Sequence, residues 1–236
     1  IVKVITSKEI SLAVYLISLG LIKKILVADF IAANFSDRVF ESPQFFTSFD
    51  LLMSSYSGLI HLFFDFSGYT DIVMGISLLL GLEIAGNFNQ PFKAKNISEF
   101  WKRWHISLYS WLSDYVYQPV AYTFRKYKKG GVIIAVLVTF LISGIWHGAN
   151  LTFVCWGLLH GAAIIVEMIT QRPRKFLSQK MGTSYSLISV FLTFNFLAFS
   201  SVLINGSSMD FAIDYYARIF SNVDFTLFSK WLAIYY

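Results

Sequence analysis

Charged residues are scarce in this sequence, and cysteine is almost absent. Only 14% of the 236 residues are charged, while 56% are hydrophobic and the mean hydropathy is +0.60. So few charges cannot cover a soluble core of this size, and the composition therefore predicts a membrane protein. The single cysteine, Cys155, lies in an apolar run, which excludes an intrachain disulfide and a metal site built from cysteines.

Several motifs of soluble enzymes are also missing. There is no HExxH or CxxC pair, no GxSxG elbow, no Walker loop and no GxGxxG turn, which argues against a metal centre, a hydrolase, an NTPase and a dinucleotide enzyme. The net charge of +5 does not indicate nucleic-acid binding, because Lys and Arg fall in loops between apolar runs. We expect no metal, no bound cofactor and no nucleic-acid partner.

Long apolar runs predict several membrane helices. They cover residues 10–35, 51–82, 132–146, 151–169 and 186–204. The first run is interrupted by Lys23 and Lys24, so its depth in the bilayer is not fixed, and residues 36–50 are predicted to form a loop on the non-cytoplasmic side. Basic residues concentrate in 86–130 and 171–182, and both segments are predicted to face the cytoplasm.

Two carboxylates lie within the second run. Asp65 and Asp71 belong to FFDFSGYTD, residues 63–71, where Gly68 is expected to form a hinge and Thr70 or Ser67 to cap a second helix. An ionised carboxylate at membrane depth is costly unless it is paired, hydrated or facing a cavity. We therefore predict that both face protein or water. The alternative is that Asp71 only supports the start of the next helix.

Residues 96–120, NISEFWKRWHISLYSWLSDYVYQPV, hold three of the six tryptophans. Their spacing predicts one short amphipathic helix, with Asn96 and Glu99 as its capping box and Pro119 near its end. One face would carry an aromatic stripe: Trp101, Trp104, His105, Leu108, Trp111 and Leu112. His105 is either functional or a packed histidine that hydrogen-bonds a neighbour, and periodicity does not decide between the two.

The third and fourth runs predict a hairpin with His147 at its tip, because both outer ends are basic. The first arm would rise only about 22 Å, less than the roughly 30 Å hydrocarbon core, so the tip is expected inside the membrane. A neutral imidazole there is well placed to take a proton from a hydroxyl near pH 7. Gly148 would let a substrate approach the backbone closely.

Three segments resemble the membrane-bound O-acyltransferase family: FDFSGYTD, NFNQPFKAKNISEFWKRWHISLYSWLSDYVYQP and LISGIWHGANLTFVCWGLLHG. The resemblance covers roughly residues 12–168 and is closest to the bacterial branch that O-acetylates exported polysaccharides, the alginate O-acetyltransferase type. It implies an all-α, polytopic transmembrane protein with re-entrant and amphipathic helices around a central tunnel. Residues 1–236 would form a single membrane-embedded domain, the N-terminally truncated C-terminal portion of a larger enzyme, in which 185–236 add a membrane helix and a C-terminal segment.

The resemblance also implies a function. A multi-pass enzyme of the cell inner membrane would move an acyl group, expected to be acetyl, from a cytoplasmic thioester donor (acetyl-CoA or an acyl carrier) to hydroxyls of an exported polysaccharide. Its partners would be the lipid bilayer, the donor, and the polysaccharide or a partner acetyltransferase. His147 of the WHG motif would be the catalytic base, and His105 of the RWH motif would orient the donor or assist at the other end of the tunnel. Further residues would line or brace the passage: Asp65, Asp71, Arg103, Trp104, Trp146, Asn150 and His160.

Two alternatives stay open. One is D-alanyl transfer to teichoic acid, which a related branch performs, and the other is a non-catalytic channel or transporter subunit that uses the buried histidines as a proton relay. The chain also departs from the branch pattern at three places. Ser113 replaces an arginine on which a donor contact would rest, residues 121–123 replace a Gly-Gly loop, and residues 200–204 replace an aromatic-arginine motif.

Overall fold

The computed structural model describes residues 5–221, and this part of the chain is helical, without a β-strand. The helices in chain order are α1 (Ser7–Glu41), α2 (Ser48–Leu79), α3 (Ile97–Trp101), α4 (Ile106–Leu112), α5 (Gln118–Thr123), α6 (Lys129–His147), α7 (Leu151–Ile169), α8 (Gln171–Met181), α9 (Thr183–Asn205) and α10 (Met209–Ser221). Within the described residues, α1, α2, α6, α7 and α9 are long and apolar enough to cross a membrane. The prediction of an all-α polytopic membrane protein is confirmed. The end of the predicted C-terminal segment, residues 222–236, lies outside the described residues, and the central tunnel stays a prediction.

The described residues form two compact units, one made of residues 5–85 with 201–221 and one made of residues 86–200. In the first unit, α1 packs along α2 through small residues on both helices. A Cβ atom on Gly68 would lie 2.8 Å from the carbonyl oxygen of Gly20. Small residues allow the close backbone approach that is typical of packed membrane helices.

α2 runs unbroken through residues 63–71, so the predicted hinge at Gly68 is wrong. Gly68 serves the contact with α1 instead. The predicted cap is wrong as well, since Ser67 and Thr70 both lie inside the helix, where Thr70 donates its hydroxyl to the carbonyl of Ser67 at 2.9 Å.

α1 is also continuous, so the two lysines that interrupt the apolar run do not interrupt the helix, and the run forms one candidate span, Ser7–Glu41. Two π-helical segments, Ile22–Ala28 and Ala32–Ser36, accommodate the change in helical register within it. The predicted loop 36–50 is mostly helical too, because α1 extends into it and α2 begins before it ends.

In the second unit, α6 and α7 form the predicted hairpin, with His147 as the last residue of α6. Gly144 and Gly157 bring the two helices together, since a Cβ atom on either would collide with a carbonyl oxygen of the other helix. α6 is longer than the apolar run, and its 19 residues rise about 28 Å rather than about 22 Å. The arm therefore nearly matches the roughly 30 Å hydrocarbon core, and a tip inside the membrane stays a prediction.

The single helix predicted over residues 96–120 is wrong. α3 ends at Trp101, a turn follows, and α4 begins after His105, whose φ of 46° is left-handed. The break divides the predicted aromatic stripe, because Trp101 and Trp104 are buried whereas Trp111 is 52% exposed.

Two local predictions in this segment had different outcomes. Asn96 caps α3 by accepting a hydrogen bond from the amide of Glu99 at 2.8 Å, but the carboxylate of Glu99 accepts from the amide of Lys95 rather than completing the capping box. Pro119 does not end the helix. It lies in the first turn of α5, where a missing N–H is tolerated, and a π-helical segment, Ser113–Tyr117, precedes it.

Candidate active site

The two histidines favoured by the sequence meet around one tryptophan. The ring centroid of Trp146 lies 4.9 Å from that of His147 and 6.0 Å from that of His105. α6 supplies Trp146 and His147 as its last two residues, while His105 directly precedes α4. The structure therefore brings both predicted catalytic histidines together with Trp146 in one cluster, rather than placing His105 far from His147.

His147 lies at the tip of the hairpin, next to the turn that joins α6 to α7, and its side chain is exposed. Its ring contacts two aromatic rings of α7, those of Trp156 and Phe153, at centroid distances of 5.1 and 6.3 Å. Within residues 5–221, neither ring nitrogen forms a hydrogen bond. An imidazole held by neighbouring rings, with both nitrogens free, has a defined position and can still exchange a proton with a ligand.

His105 is held in a strained backbone conformation. Its φ of 46° lies in the left-handed region, where an L-residue pays about 1–2 kcal/mol. The turn is fixed by Asn87, which accepts from the amides of Ile106 at 3.1 Å and Ser107 at 3.0 Å. Burial, together with the nearby charge of His147, lowers the pKa of His105 from 6.5 to about 4. His105 is therefore neutral at physiological pH.

Gly148 and Asn150 shape the turn after His147. A Cβ atom on Gly148 would lie 2.6 Å from the ring of Phe153, so the glycine makes room for that ring, a reason that the sequence did not suggest. Asn150 caps α7 by accepting a hydrogen bond from the amide of Thr152 at 3.2 Å. Both residues therefore shape the backbone of the turn that follows His147.

His160 is sealed inside the unit, with only 1% of its surface exposed. The indole N–H of Trp101 donates to His160 Nδ1 at 3.2 Å, so the neutral ring carries its proton on Nε2, which donates to Ser200 Oγ at 3.1 Å. The ring of Trp156 lies 4.8 Å from that of His160 and also contacts His147. His160 thus braces the aromatic wall behind His147.

Arg103 and Trp104 support the turn before His105. Arg103 pairs with Glu99 at 2.8 Å and donates to a carbonyl of the preceding loop at 3.1 Å. Trp104 is 7% exposed and stacks on Phe100 with a centroid distance of 5.4 Å. The structure gives both residues contacts within the protein that hold this segment in place.

Asp65 and Asp71 lie in the first unit, where lysines of α1 neutralise them. Lys23 Nζ lies 2.6 Å from Asp71, and Lys24 Nζ lies 2.6 Å from Asp65 and 2.7 Å from Asp29. Pairing offsets the cost of carboxylates in a membrane helix. The two lysines that interrupt the first apolar run are therefore the partners of the two carboxylates.

Trp156, Phe153 and Ser200 also belong to the site but were not predicted. The sequence carries a signal for Trp156, which is four residues before His160 and so lies on the same face of α7. Phe153 and Ser200 have no such signal, because their contacts depend on how the chain folds back on itself. Within residues 5–221, no group of His, Cys, Asp and Glu side chains is arranged to hold a metal ion.

Comparison with known proteins identifies the family of this chain. The sequence profile of MBOAT, the membrane-bound O-acyltransferase family, matches residues 5–209, and the chain belongs to this family. It is 37% identical over 207 residues to the peptidoglycan O-acetyltransferase of Helicobacter pylori. The aligned residues make up 87% of this chain and 38% of that protein. It is 34% identical over 215 residues to the probable alginate O-acetylase of Azotobacter vinelandii, and this alignment includes 88% of this chain and 40% of that protein.

A third relative represents the other branch. The teichoic acid D-alanyltransferase of Bacillus subtilis is 31% identical over 163 residues, which covers 66% of this chain and 41% of that protein. These matches confirm the resemblance to the alginate-type O-acetylation branch. The chain spans about two fifths of the length of the curated relatives it matches.

Proposed function

We propose that this chain carries the acyl-transfer site of an inner-membrane enzyme that moves an acetyl group from a cytoplasmic thioester donor to hydroxyls of an exported polysaccharide, directly or through a partner acetyltransferase. The cluster of His105, Trp146 and His147 at the tip of a membrane hairpin carries the proposal. Relatives named for O-acetyl transfer to peptidoglycan and alginate support the acetyl group and the polymeric acceptor.

His147 acts as the general base in this mechanism. A free ring nitrogen of His147 accepts the proton of the acceptor hydroxyl while the hydroxyl oxygen attacks the carbonyl carbon of the thioester. The tetrahedral intermediate then expels the thiolate, which takes the proton back from His147. The products are an ester on the polymer and the free thiol of the donor, and His147 is again unprotonated.

His105 assists as a neutral hydrogen-bond donor. Because its pKa is lowered to about 4, its ring is neutral and brings no positive charge into the site. Negative charge develops on the thioester oxygen in the tetrahedral intermediate, and a preorganised donor stabilises it. The left-handed turn fixes the position of this donor.

The placement of carboxylates favours acetyl over D-alanyl. A D-alanyl thioester carries an ammonium group, which requires a carboxylate or another strong acceptor when it leaves water. The three carboxylates within residues 86–200 already have partners: Glu99 pairs with Arg103, Asp114 accepts from Gln118, and Glu167 accepts from the amides of Ile97 and Ser98. D-alanyl transfer is the second candidate, supported by the relative from Bacillus subtilis.

Transfer by the full-length protein tests the proposal. Membranes that contain it would receive radiolabelled acetyl donor, and membranes from cells without the gene would serve as the control. We expect label on the exported polymer, released by mild base as esters are. A D-alanyl donor in a parallel reaction separates the two acyl groups. A protein that inserts normally and passes protons but transfers neither group would instead be the channel or transporter subunit of the alternative.

A further inference from the structure

Glu167 links two parts of the unit of residues 86–200 that are far apart in the sequence. It lies near the end of α7, and its two carboxylate oxygens accept hydrogen bonds from the first turn of α3. Oε1 accepts from the amide of Ile97, and Oε2 accepts from the amide of Ser98 at 3.2 Å and from its hydroxyl at 2.6 Å. Because Ile97 and Glu167 are 70 positions apart, this link belongs to the fold and not to the local sequence.

The first turn of α3 depends on this carboxylate. The first amides of a helix have no carbonyl partner within the helix and need acceptors from outside it. The side chain of Asn96 accepts from one of them, the amide of Glu99 at 2.8 Å, and Glu167 accepts from those of Ile97 and Ser98. Because α3 has only five residues, it is too short to be stable without partners, and a negative charge at its N-terminus adds to its stability.

α7 also holds the other end of α3. His160 lies seven residues before Glu167, about two helical turns, and therefore on the same face of α7. Its Nδ1 accepts a hydrogen bond at 3.2 Å from the indole N–H of Trp101, the last residue of α3. The two contacts together fix the position and the direction of α3 along α7.

α7 thus contacts both candidate catalytic histidines, one directly and one through α3. The rings of Phe153 and Trp156 on α7 contact the ring of His147. His105 follows Trp101 by four residues, so the position of its ring depends on where α3 lies. A shift of α3 along α7 would therefore move His105, while His147 would keep its contacts.

We propose that Glu167 is a positioning residue for acyl transfer, which holds the first turn of α3 on α7 and thereby sets the place of His105 relative to His147. This inference rests on the proposed function, because that function gives both histidines their roles. Glu167 follows Trp156, the neighbour of His147, by eleven residues of α7, a rise of about 16 Å. It therefore acts through α3 and does not touch the reacting atoms.

Rates of acetyl transfer by the full-length protein, measured with saturating donor, test this role. Glu167→Ala removes all three hydrogen bonds and should lower the rate by up to about 10²-fold, because a misplacement of about 1 Å at a reacting centre has an effect of that size. Glu167→Gln keeps one oxygen as an acceptor and should recover a large part of the rate. Thr170→Val is the matched control near the same end of α7, since the hydroxyl that it removes donates to Val166 and not to α3. It should transfer at the wild-type rate.

A double-mutant cycle separates positioning from a loss of stability. His105→Asn removes the imidazole, and asparagine tolerates the left-handed turn. If Glu167 acts by placing that imidazole, the addition of Glu167→Ala to His105→Asn should lower the rate far less than Glu167→Ala lowers it in the wild type. A residue that only stabilises the fold would lower both rates by the same factor.

Spectra of histidine-labelled protein test the placement without acyl transfer. Glu167→Ala should shift the ring signals of His105 and leave those of His147 near their wild-type positions. Ser98→Ala removes the hydroxyl donor and keeps the backbone contacts, so it should shift the same signals even if Glu167→Ala does not fold.

The outcomes separate this inference from the function on which it rests. Equal rates for Glu167→Ala and Thr170→Val, or equal losses from Glu167→Ala with and without His105→Asn, would show that Glu167 does not position His105, even when the wild type transfers acetyl groups. Unchanged His105 signals in Glu167→Ala and Ser98→Ala would overturn the inference as well. If the wild type transfers no acyl group but these signals shift, the proposed function is refuted and the placement of His105 by Glu167 stands.

Discussion

His147 and His160 lie on the two arms of one hairpin and contact the same tryptophan, Trp156, yet their surroundings are opposite. His160 is 1% exposed, and both of its ring nitrogens are hydrogen-bonded, one to Trp101 and one to Ser200. His147 is exposed and has only ring contacts within the described residues. The difference teaches that a histidine in a membrane helix is not functional by residue type alone. What matters is whether the fold already uses its nitrogens.

The largest expected effect is on His147. His147→Ala should reduce acetyl transfer by about 10²- to 10⁴-fold, because a positioned general base supplies that much rate. Membrane insertion and thermal stability should stay near the wild type, since the exposed ring makes only aromatic contacts. Initial rates of labelled acetyl transfer measure the first effect, and thermal unfolding in detergent measures the second.

Trp146→Phe serves as the control for this prediction, because it alters the ring beside His147 and leaves the imidazole in place. It should lose far less activity than His147→Ala. A His147→Ala protein that acetylates its acceptor near the wild-type rate would remove the distinction between the two histidines and end the mechanism.

The sequence alone was sufficient for the hairpin and for His147 at its tip, because apolar runs and a break between them are local features. It was not sufficient for the partners of polar groups, which come from distant parts of the chain. Ser200 is 40 positions from His160, and Lys23 is 48 positions from Asp71. Helical periodicity also missed the break before His105, because hydrogen bonds from the preceding loop hold that turn.

The second effect concerns His160, whose replacement should lower the stability of the fold rather than act directly on the transfer reaction. His160→Leu leaves the indole N–H of Trp101 buried without an acceptor and removes a donor to Ser200, which should cost about 2–4 kcal/mol of unfolding free energy. His160→Gln, with one acceptor and one donor, should restore a large part of the loss.

The tautomer of the His160 ring is a second test, because it reports the hydrogen bonds of the ring and not only its packing. In ¹⁵N spectra of histidine-labelled protein, the His160 signals should show Nε2 protonated and Nδ1 unprotonated, as the Trp101 donor requires. The opposite tautomer, or equal stability of His160→Leu and wild type, would contradict the assignment of His160 as a brace.

The third effect extends the comparison to the paired carboxylates. Asp71→Asn leaves Lys23 without its partner and should cost about 1–3 kcal/mol, less than the roughly 3–5 kcal/mol of a fully buried pair, because 17% and 22% of the two side chains stay exposed. Asp65→Asn is the matched control. It should cost less, since the side chains of Asp65 and Lys24 are 40% and 43% exposed. Denaturation of the two variants in detergent compares them, and a larger loss for Asp65→Asn would show that pairing at Asp71 is not the cause.

The smallest expected effect is at His105, where backbone and ring contribute separately. Asparagine tolerates the left-handed conformation better than alanine, so His105→Ala should be less stable than His105→Asn by about 1 kcal/mol at pH 7.5.

The ring of His105 adds a pH-dependent contribution to the free energy of unfolding. Because the folded pKa is about 4 and the reference value is 6.5, the unfolded chain binds the proton first as pH falls. The wild type should therefore lose stability relative to His105→Asn between pH 6.5 and 4, whereas above pH 6.5 the difference should be constant. A stability difference that does not change across that interval would mean that His105 is not buried as a neutral ring, and it would remove the reason for treating it as an uncharged donor beside His147.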